Sequence, residues 1–258
     1  MKYETLTYSM TDGMAVITLN RPDVMNALTT QMRAEIEVAV THAGKTARVV
    51  VLTGAGRAFC SGQDLGDRAN ASDLDLERTL RDEYTPMLNA IVACPVPTIA
   101  AVNGAAAGAG ANLALACDVV IASEKAYFLQ AFTRIGLIPD AGGTYVMPRT
   151  MGMAKAMGAA LFADKITAQQ ADAWGMIWEA VPEKDFDAHW NARAMHLATG
   201  PTKAFAAAKR VIRASWENDL DAQLETEASE QGDCGQSRDF REGVLAFVEK
   251  RKPNFEGR

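Results

Sequence analysis

Three short stretches of this 258-residue chain are rich in small residues, and two of them carry a carboxylate, a make-up that suits chemistry on a developing negative charge. The first is Gly54-Ala55-Gly56-Arg57-Ala58-Phe59-Cys60-Ser61-Gly62-Gln63-Asp64-Leu65, directly after the β-branched run Val49–Leu52. Small residues there let a ligand approach the main chain, and a turn exposes N–H groups. Arg57 has the fork that suits a phosphate. A glycine-rich turn without a ligand fits this loop equally well. The second is Asn103-Gly104-Ala105-Ala106-Ala107-Gly108-Ala109-Gly110-Ala111-Asn112, between the buried run Thr98–Val102 and a short helix. A helix N-terminus carries free N–H groups and partial positive charge. The third glycine of a dinucleotide fingerprint is missing. Close helix–strand packing would by itself also select Gly and Ala. Two such loops after two buried strands favour a paired oxyanion hole more than either does alone. The third stretch, Ile135-Gly136-Leu137-Ile138-Pro139-Asp140-Ala141-Gly142-Gly143-Thr144, sets Asp140 between a proline and two glycines. On generic grounds Asp140 reads first as a helix N-cap. The other reading is a carboxylate aimed into a site by a rigid turn.

The elements that must position these loops are legible in outline. Tyr3–Tyr8 and Met14–Leu19 read as strands around Thr11-Asp12-Gly13. Thr29 is placed to cap a helix carrying Met32, Ile36, Ala39 and Val40 at helical spacing. The weak alternation of Met14–Leu19 suggests a strand covered on both faces, and Val49–Leu52, Thr98–Val102 and Val119–Ala122 read as further strands. Ser72 could cap a helix bearing Leu74, Leu76 and Leu80, which Pro86 must kink or divide. From Gly143 onward the pattern is nearly all helix: Thr144–Thr150, Met153–Leu161, Ala168–Trp174, Phe186–Ala198, Thr202–Trp216, Leu220–Gln231 and Ser237–Lys250. Gly200-Pro201 separates a core, residues 1–200, from a helical region, residues 201–258, whose apolar positions need something to pack on.

Bulk properties narrow the function. Hydrophobic residues make up 48% and charged residues 22%, so the chain is an ordinary globular protein and not a disordered one. A formal net charge of −6 argues against a nucleic-acid partner. There is no signal-like N-terminus and no apolar run of membrane-spanning length, so the chain reads as cytoplasmic with no membrane partner. Cys60, Cys94, Cys117 and Cys234 match neither a metal pattern nor a disulfide framework, and His42, His189 and His196 are scattered along helical segments. No metal site is expected.

Taken together, Leu19-Asn20-Arg21-Pro22 with Asn26-Ala27-Leu28, Arg57–Leu65, Val102–Asp118, Gly136–Thr144 and the tail Ala246–Phe255 resemble the crotonase (enoyl-CoA hydratase/isomerase) superfamily over nearly the whole chain. The resemblance implies an α/β fold of repeated ββα units with a C-terminal helical trimerisation region. It also implies a homotrimer or dimer of trimers, and an acyl-coenzyme A ligand with no cofactor beyond the coenzyme A that the substrate brings. By position it puts the oxyanion donors on the backbone N–H groups of Gln63 and Ala109. Coenzyme A and substrate contacts fall at Met25, Ala27, Ala58, Ser61, Gly62, Asp64 and Leu65. The two glutamates with which typical hydratases activate water align with Asn112 and Phe132, expected here as pocket wall. Neither is a carboxylate, which counts against simple hydration. Asp140 matches the catalytic aspartate of the isomerase branches, which reverses the N-cap preference. Its surroundings, with Trp174-Gly175-Met176-Ile177-Trp178 and Asp239-Phe240-Arg241-Glu242-Gly243, are most similar to the branch that isomerises ring-epoxide thioesters in phenylacetate breakdown. The resemblance therefore implies thioester enolate chemistry with Asp140 as acid and base, in an apolar pocket with Phe132 and Phe128 nearby. The alternatives are an atypical enoyl-CoA hydratase and a non-catalytic acyl-CoA-binding subunit.

Overall fold

The computed structural model of the protein describes residues 2–66 and 75–258. Strands β1 (Leu6–Thr11) and β2 (Met14–Leu19) form a hairpin over Asp12 and Gly13, whose φ angles are +50° and +79°. Those angles suit the tight turn that a right-twisted hairpin needs. The register Leu6↔Leu19 to Thr11↔Met14 shifts the first strand from the expected Tyr3–Tyr8. Residues ahead of it are held differently: the N–H groups of Glu4 and Thr5 donate to the Glu35 carboxylate at 2.8 and 2.9 Å. Helix α1 (Thr30–Thr46) starts at the expected cap, with Thr29 Oγ1 accepting from the Met32 N–H at 3.1 Å.

The chain then builds three similar units. The first is β3 (Val49–Gly54), β4 (Ala58–Cys60) and a helical segment made of α2 (Leu76–Thr79), a π-helical turn (Leu80–Tyr84) and α3 (Thr85–Val92). The second is β5 (Thr98–Val102), β6 (Ala105–Ala107) and α4 (Ala109–Leu115). The third is β7 (Val119–Ser123), β8 (Tyr127–Leu129), α5 (Gly143–Thr150) and α6 (Gly152–Phe162). In each, the first strand enters a six-stranded sheet, order β1-β2-β3-β5-β7-β10, and the second enters a four-stranded sheet, order β4-β6-β8-β9. The chain then continues through β9 (Ile166–Thr167), α7 (Ala168–Ala173), β10 (Glu179–Val181), α8 (Phe186–Thr199), α9 (Thr202–Ala214), α10 (Leu220–Gly235) and α11 (Arg238–Glu249). Pro86 falls in the first turn of α3, and the irregularity it imposes lies just upstream, where the Thr85 N–H reaches back to the Leu80 carbonyl. The expected Ser72 cap and Leu74 lie outside the described residues.

Strand alternation divides the core in two. Val50, Leu52, Ala100 and Val102 pack with Ile36 and Val40 of α1. Val49, Val51, Ile99 and Ala101 face the other way, onto Phe186, Ala194 and Ala198 of α8. Each fully buried Val or Ile of this kind contributes roughly 1.5–3 kcal/mol. This rigid stack places the C-terminal ends of β3 and β5, and hence both small-residue loops, beside one another.

Candidate active site

The loop 20–28 and the loop 55–64 are stitched together. Asn26 is fully buried, and its Nδ2 donates to the carbonyls of Ala55 and Ala58 at 3.0 and 2.8 Å. Leu28 and Gln63 form a parallel bridge: Leu28 N–H donates to Gly62 at 2.8 Å, and Leu28 C=O accepts from Asp64 N–H at 3.1 Å. In such a bridge the middle residue's own N–H points to the opposite side. Gln63 N–H is therefore left over, on the side where Gln63 lines a cavity of about 470 Å³. Ala109 lines the same cavity and is the first residue of α4, so its N–H has no partner within the helix. Gly62, at φ +97°, brings the two loops together: a Cβ there would stand 2.8 Å from the Ala107 carbonyl and 3.4 Å from the Ala109 nitrogen. Gly108, at φ +53° and ψ −130°, makes the turn into α4. Gly110 answers to the plain packing reading, because a Cβ on it would overlap the Cys60 carbonyl.

Asp140 lines the cavity and is the only carboxylate among its described lining residues. It is not an N-cap. The cap position of α5 is Gly142, and no side chain caps that helix. Instead the Asp140 backbone carbonyl accepts from Gly143 N–H at 2.9 Å and from Asn112 Nδ2 at 2.8 Å. Pro139 before it and Ala141 after it, at φ +49°, fix the turn. The carboxyl is thereby aimed inward, and its Oδ1 is buried without a hydrogen-bond partner. Burial raises its pKa to about 6, opposed only by its own backbone N–H. Phe132 lines the same cavity and makes part of its wall apolar, its ring tip 3.8 Å from where a Gly108 Cβ would stand.

The enoyl-CoA hydratase/isomerase family model matches residues 9–258. The chain belongs to this family. It is 63% identical over the full length of both chains to a protein of Rhodobacter capsulatus named "probable enoyl-CoA hydratase". It is 43% identical to the 1,2-epoxyphenylacetyl-CoA isomerase of Escherichia coli, over 95% of this chain and 96% of that protein. Among solved structures it superposes on an enoyl-CoA hydratase of Bacillus anthracis with a TM-score of 0.92 at 32% identity, covering 99% of this chain and 100% of that one. The α/β architecture of ββα units is thus the crotonase fold.

Ser61, Gly62, Gln63, Leu65, Ala109, Phe132 and Asp140 come together on the cavity. Others do not. Asn112 is buried behind the wall, where it exchanges hydrogen bonds with the Gln130 amide at 3.3 and 2.9 Å and holds the Asp140 carbonyl. It lines no part of the cavity, and its amide is engaged by the buried Gln130 on one side and the Asp140 carbonyl on the other. Asp64 is likewise turned away: its carboxylate pairs with Arg21 at 2.7 Å and accepts from Gly66 N–H at 2.9 Å. Ala27 and Ala58 are buried beneath the loops, and Met25 lies at the surface with its carbonyl accepting from Ser61 N–H at 3.0 Å. Phe128 is wholly buried in the core and is not a cavity residue. Sequence reasoning gave no role to Arg33 or Tyr84. Both meet the Gln63 side chain, Tyr84 Oη donating to Gln63 Oε1 at 2.6 Å and Arg33 Nη1 at 3.1 Å. The only available signal was an arginine on the buried face of an amphipathic helix, four residues after its cap.

Proposed function

We propose that this protein is an acyl-CoA isomerase that works through a thioester enolate, with Asp140 as its single acid–base group. The observation that carries this reading is a solitary carboxylate, its Oδ1 buried without a partner, in a cavity edged by two unspent backbone N–H groups. The thioester carbonyl would sit between the Gln63 and Ala109 N–H groups. Loss of an α-proton to Asp140 builds negative charge on that oxygen, which each well-placed donor stabilises by roughly 3–4 kcal/mol. Asp140 then returns the proton to another carbon, shifting a double bond, or assists opening and expansion of a ring epoxide. A carboxylate with a pKa near 6 is well matched to such shuttling at neutral pH. The similarity to the epoxyphenylacetyl-CoA isomerase supports a substrate from phenylacetate breakdown. The coenzyme A moiety would run out of the cavity past Leu65, Ser61 and Met25. We further propose a homotrimer, or dimer of trimers, built through residues 201–258. Cytoplasmic residence is proposed on the buried free thiols of Cys60, Cys94 and Cys117 and on the lack of any helix, among the described residues, long and apolar enough to cross a membrane.

A hydratase reading is favoured by the name of the Rhodobacter relative. Against it, Asn112 has no free group to orient water, and Phe132 leaves the second position apolar. A panel of 3-enoyl-CoAs, 2-enoyl-CoAs and ring-epoxide phenylacetyl-CoA separates the readings by product. Asp140→Asn is expected to lower kcat for isomerisation on the order of 10²–10⁴-fold. Near-normal turnover by that variant, or conversion of crotonyl-CoA to 3-hydroxybutyryl-CoA as the main activity, contradicts the isomerase reading. Binding of acyl-CoA with no product from any member of the panel would instead indicate a non-catalytic subunit.

A further inference from the structure

A fully buried guanidinium lies directly behind the oxyanion loop. Arg33, on α1, has 0% exposure, and all five of its N–H groups are placed. Nε donates to Glu83 at 3.0 Å, and Nη2 donates to the same Glu83 oxygen and to Thr30 Oγ1 at 3.1 Å. Nη1 donates to the Leu28 carbonyl at 2.9 Å and to Gln63 Oε1 at 3.1 Å. Tyr84 closes the set: its hydroxyl donates to Gln63 Oε1 at 2.6 Å, and its ring lies under the Arg33 guanidinium at 4.8 Å. Glu83 and Tyr84 belong to the π-helical turn, a device that recurs at functional sites. Thr79, Leu80 and Tyr84 of the same segment line the cavity.

We infer that Arg33, Glu83 and Tyr84 are positioning residues for the oxyanion donor, fixing Gln63 by its side chain so that its backbone N–H keeps its aim. The inference rests on the reading of Gln63 N–H as an oxyanion donor. The bridge to Leu28 holds each of the two peptides that flank Gln63 by a single hydrogen bond, through the Gly62 carbonyl and the Asp64 N–H. The two donors on Oε1 add a second anchor to the same residue. They also tie it to the cavity wall, so that an acyl group seated against Leu80 and Tyr84 presses on the same network that holds the donor. Preorganised donors lose effect steeply with small misplacements, so a change that leaves the fold intact still shows in turnover.

The test uses Tyr84→Phe, Glu83→Gln and Gln63→Leu in the full-length protein. Each removes one link without emptying the core, whereas Arg33 variants risk misfolding. Two readouts are taken: kcat and KM for 3-enoyl-CoA isomerisation, and the absorbance of bound cinnamoyl-CoA, which moves to the red as the thioester carbonyl is polarised. Each variant is expected to lose about 5- to 30-fold in kcat with KM within about twofold, and to lose part of the red shift. The Tyr84→Phe/Gln63→Leu double variant is expected to be little worse than its worse parent, because both act through one contact. Glu83→Asp, which keeps the carboxylate, is expected to recover much of the activity lost in Glu83→Gln. A wild-type red shift left unchanged in all three variants, with unchanged kcat, overturns the positioning role and leaves the oxyanion reading standing. Cinnamoyl-CoA bound by wild-type protein without any red shift overturns the oxyanion reading and this inference with it.

Discussion

Asp140 carries opposite consequences for stability and for activity. Its pKa is raised from the usual carboxylate range to about 6, so the native state keeps a proton that the unfolded chain has already lost. Between about pH 4 and pH 6 the native form therefore binds more protons, and stability falls as pH rises. Above pH 6 the full penalty of a buried charge is present. Asp140→Asn removes it, and is expected to stabilise the protein at pH 7.5 by about 1–2 kcal/mol, a figure discounted from the shift because the group is only part-buried. Urea unfolding of the two proteins at pH 7.5 and pH 4.5 checks this: the gap should narrow at the lower pH. Catalysis runs the other way, because the base must be ionised. kcat/KM is expected to fall about tenfold per pH unit below an apparent pKa near 6. An acid limb near pH 4 would mean that the carboxylate is solvated like an ordinary one.

At the scale of elements, the site depends on two loops meeting where only a glycine fits. Gly62→Ala would set a methyl 2.8 Å from the Ala107 carbonyl and force an L-residue to φ +97°. Neither the backbone of β6 nor the strained angle relaxes cheaply, so a cost of about 2–4 kcal/mol is expected. Because the same residue sets the gap between the two donor loops, kcat should fall with it, to be read by thermal melting beside the isomerase assay. This contact could not be foreseen from the sequence. The long runs were legible because their periods are strong: Val49–Leu52, Thr98–Val102 and the capped helix after Thr29 stand close to where their patterns put them. The second sheet was not. Ala58–Cys60, Ala105–Ala107 and Tyr127–Leu129 are three residues long, one of them is all alanine, and such segments show no alternation to read. The same limit applied to the site. The residue types at Gln63, Ala109 and Asp140 could be matched to a pattern. The inward turn of Asn112, and the contact of Arg33 with Gln63 across thirty positions, depend on tertiary packing that one sequence does not display.

At the scale of the whole molecule, the last two helices leave a run of large apolar side chains exposed. No residue of α10 is buried, and Leu220 and Leu224 on it are exposed. On α11, Phe240, Val244 and Phe247 lie at helical spacing along a cavity of about 570 Å³, with Phe247 85% exposed. A helix with no buried side chain gains little from its own propensity and must draw stability from a neighbour. The core cannot be that neighbour, since α10 packs chiefly along α9 and α11. Another subunit can, and a patch of this size on a monomer would otherwise invite aggregation. With the trimer proposed above as that neighbour's source, the protein is expected to sediment as a trimer or a multiple of three. Phe247→Glu with Val244→Glu should break it into smaller species and lower its melting temperature by several degrees, because buried charges at an apolar interface have no partner. Wild-type protein that sediments as a monomer at micromolar concentration, with the double variant unchanged in melting, would show that these helices are stable alone. The active site gives an independent reading of the same experiment. Asp140, Gln63 and Ala109 all lie in one chain before residue 200, so dissociated subunits that stay folded should retain isomerase activity if the cavity is self-sufficient, and lose it if a neighbour completes its wall.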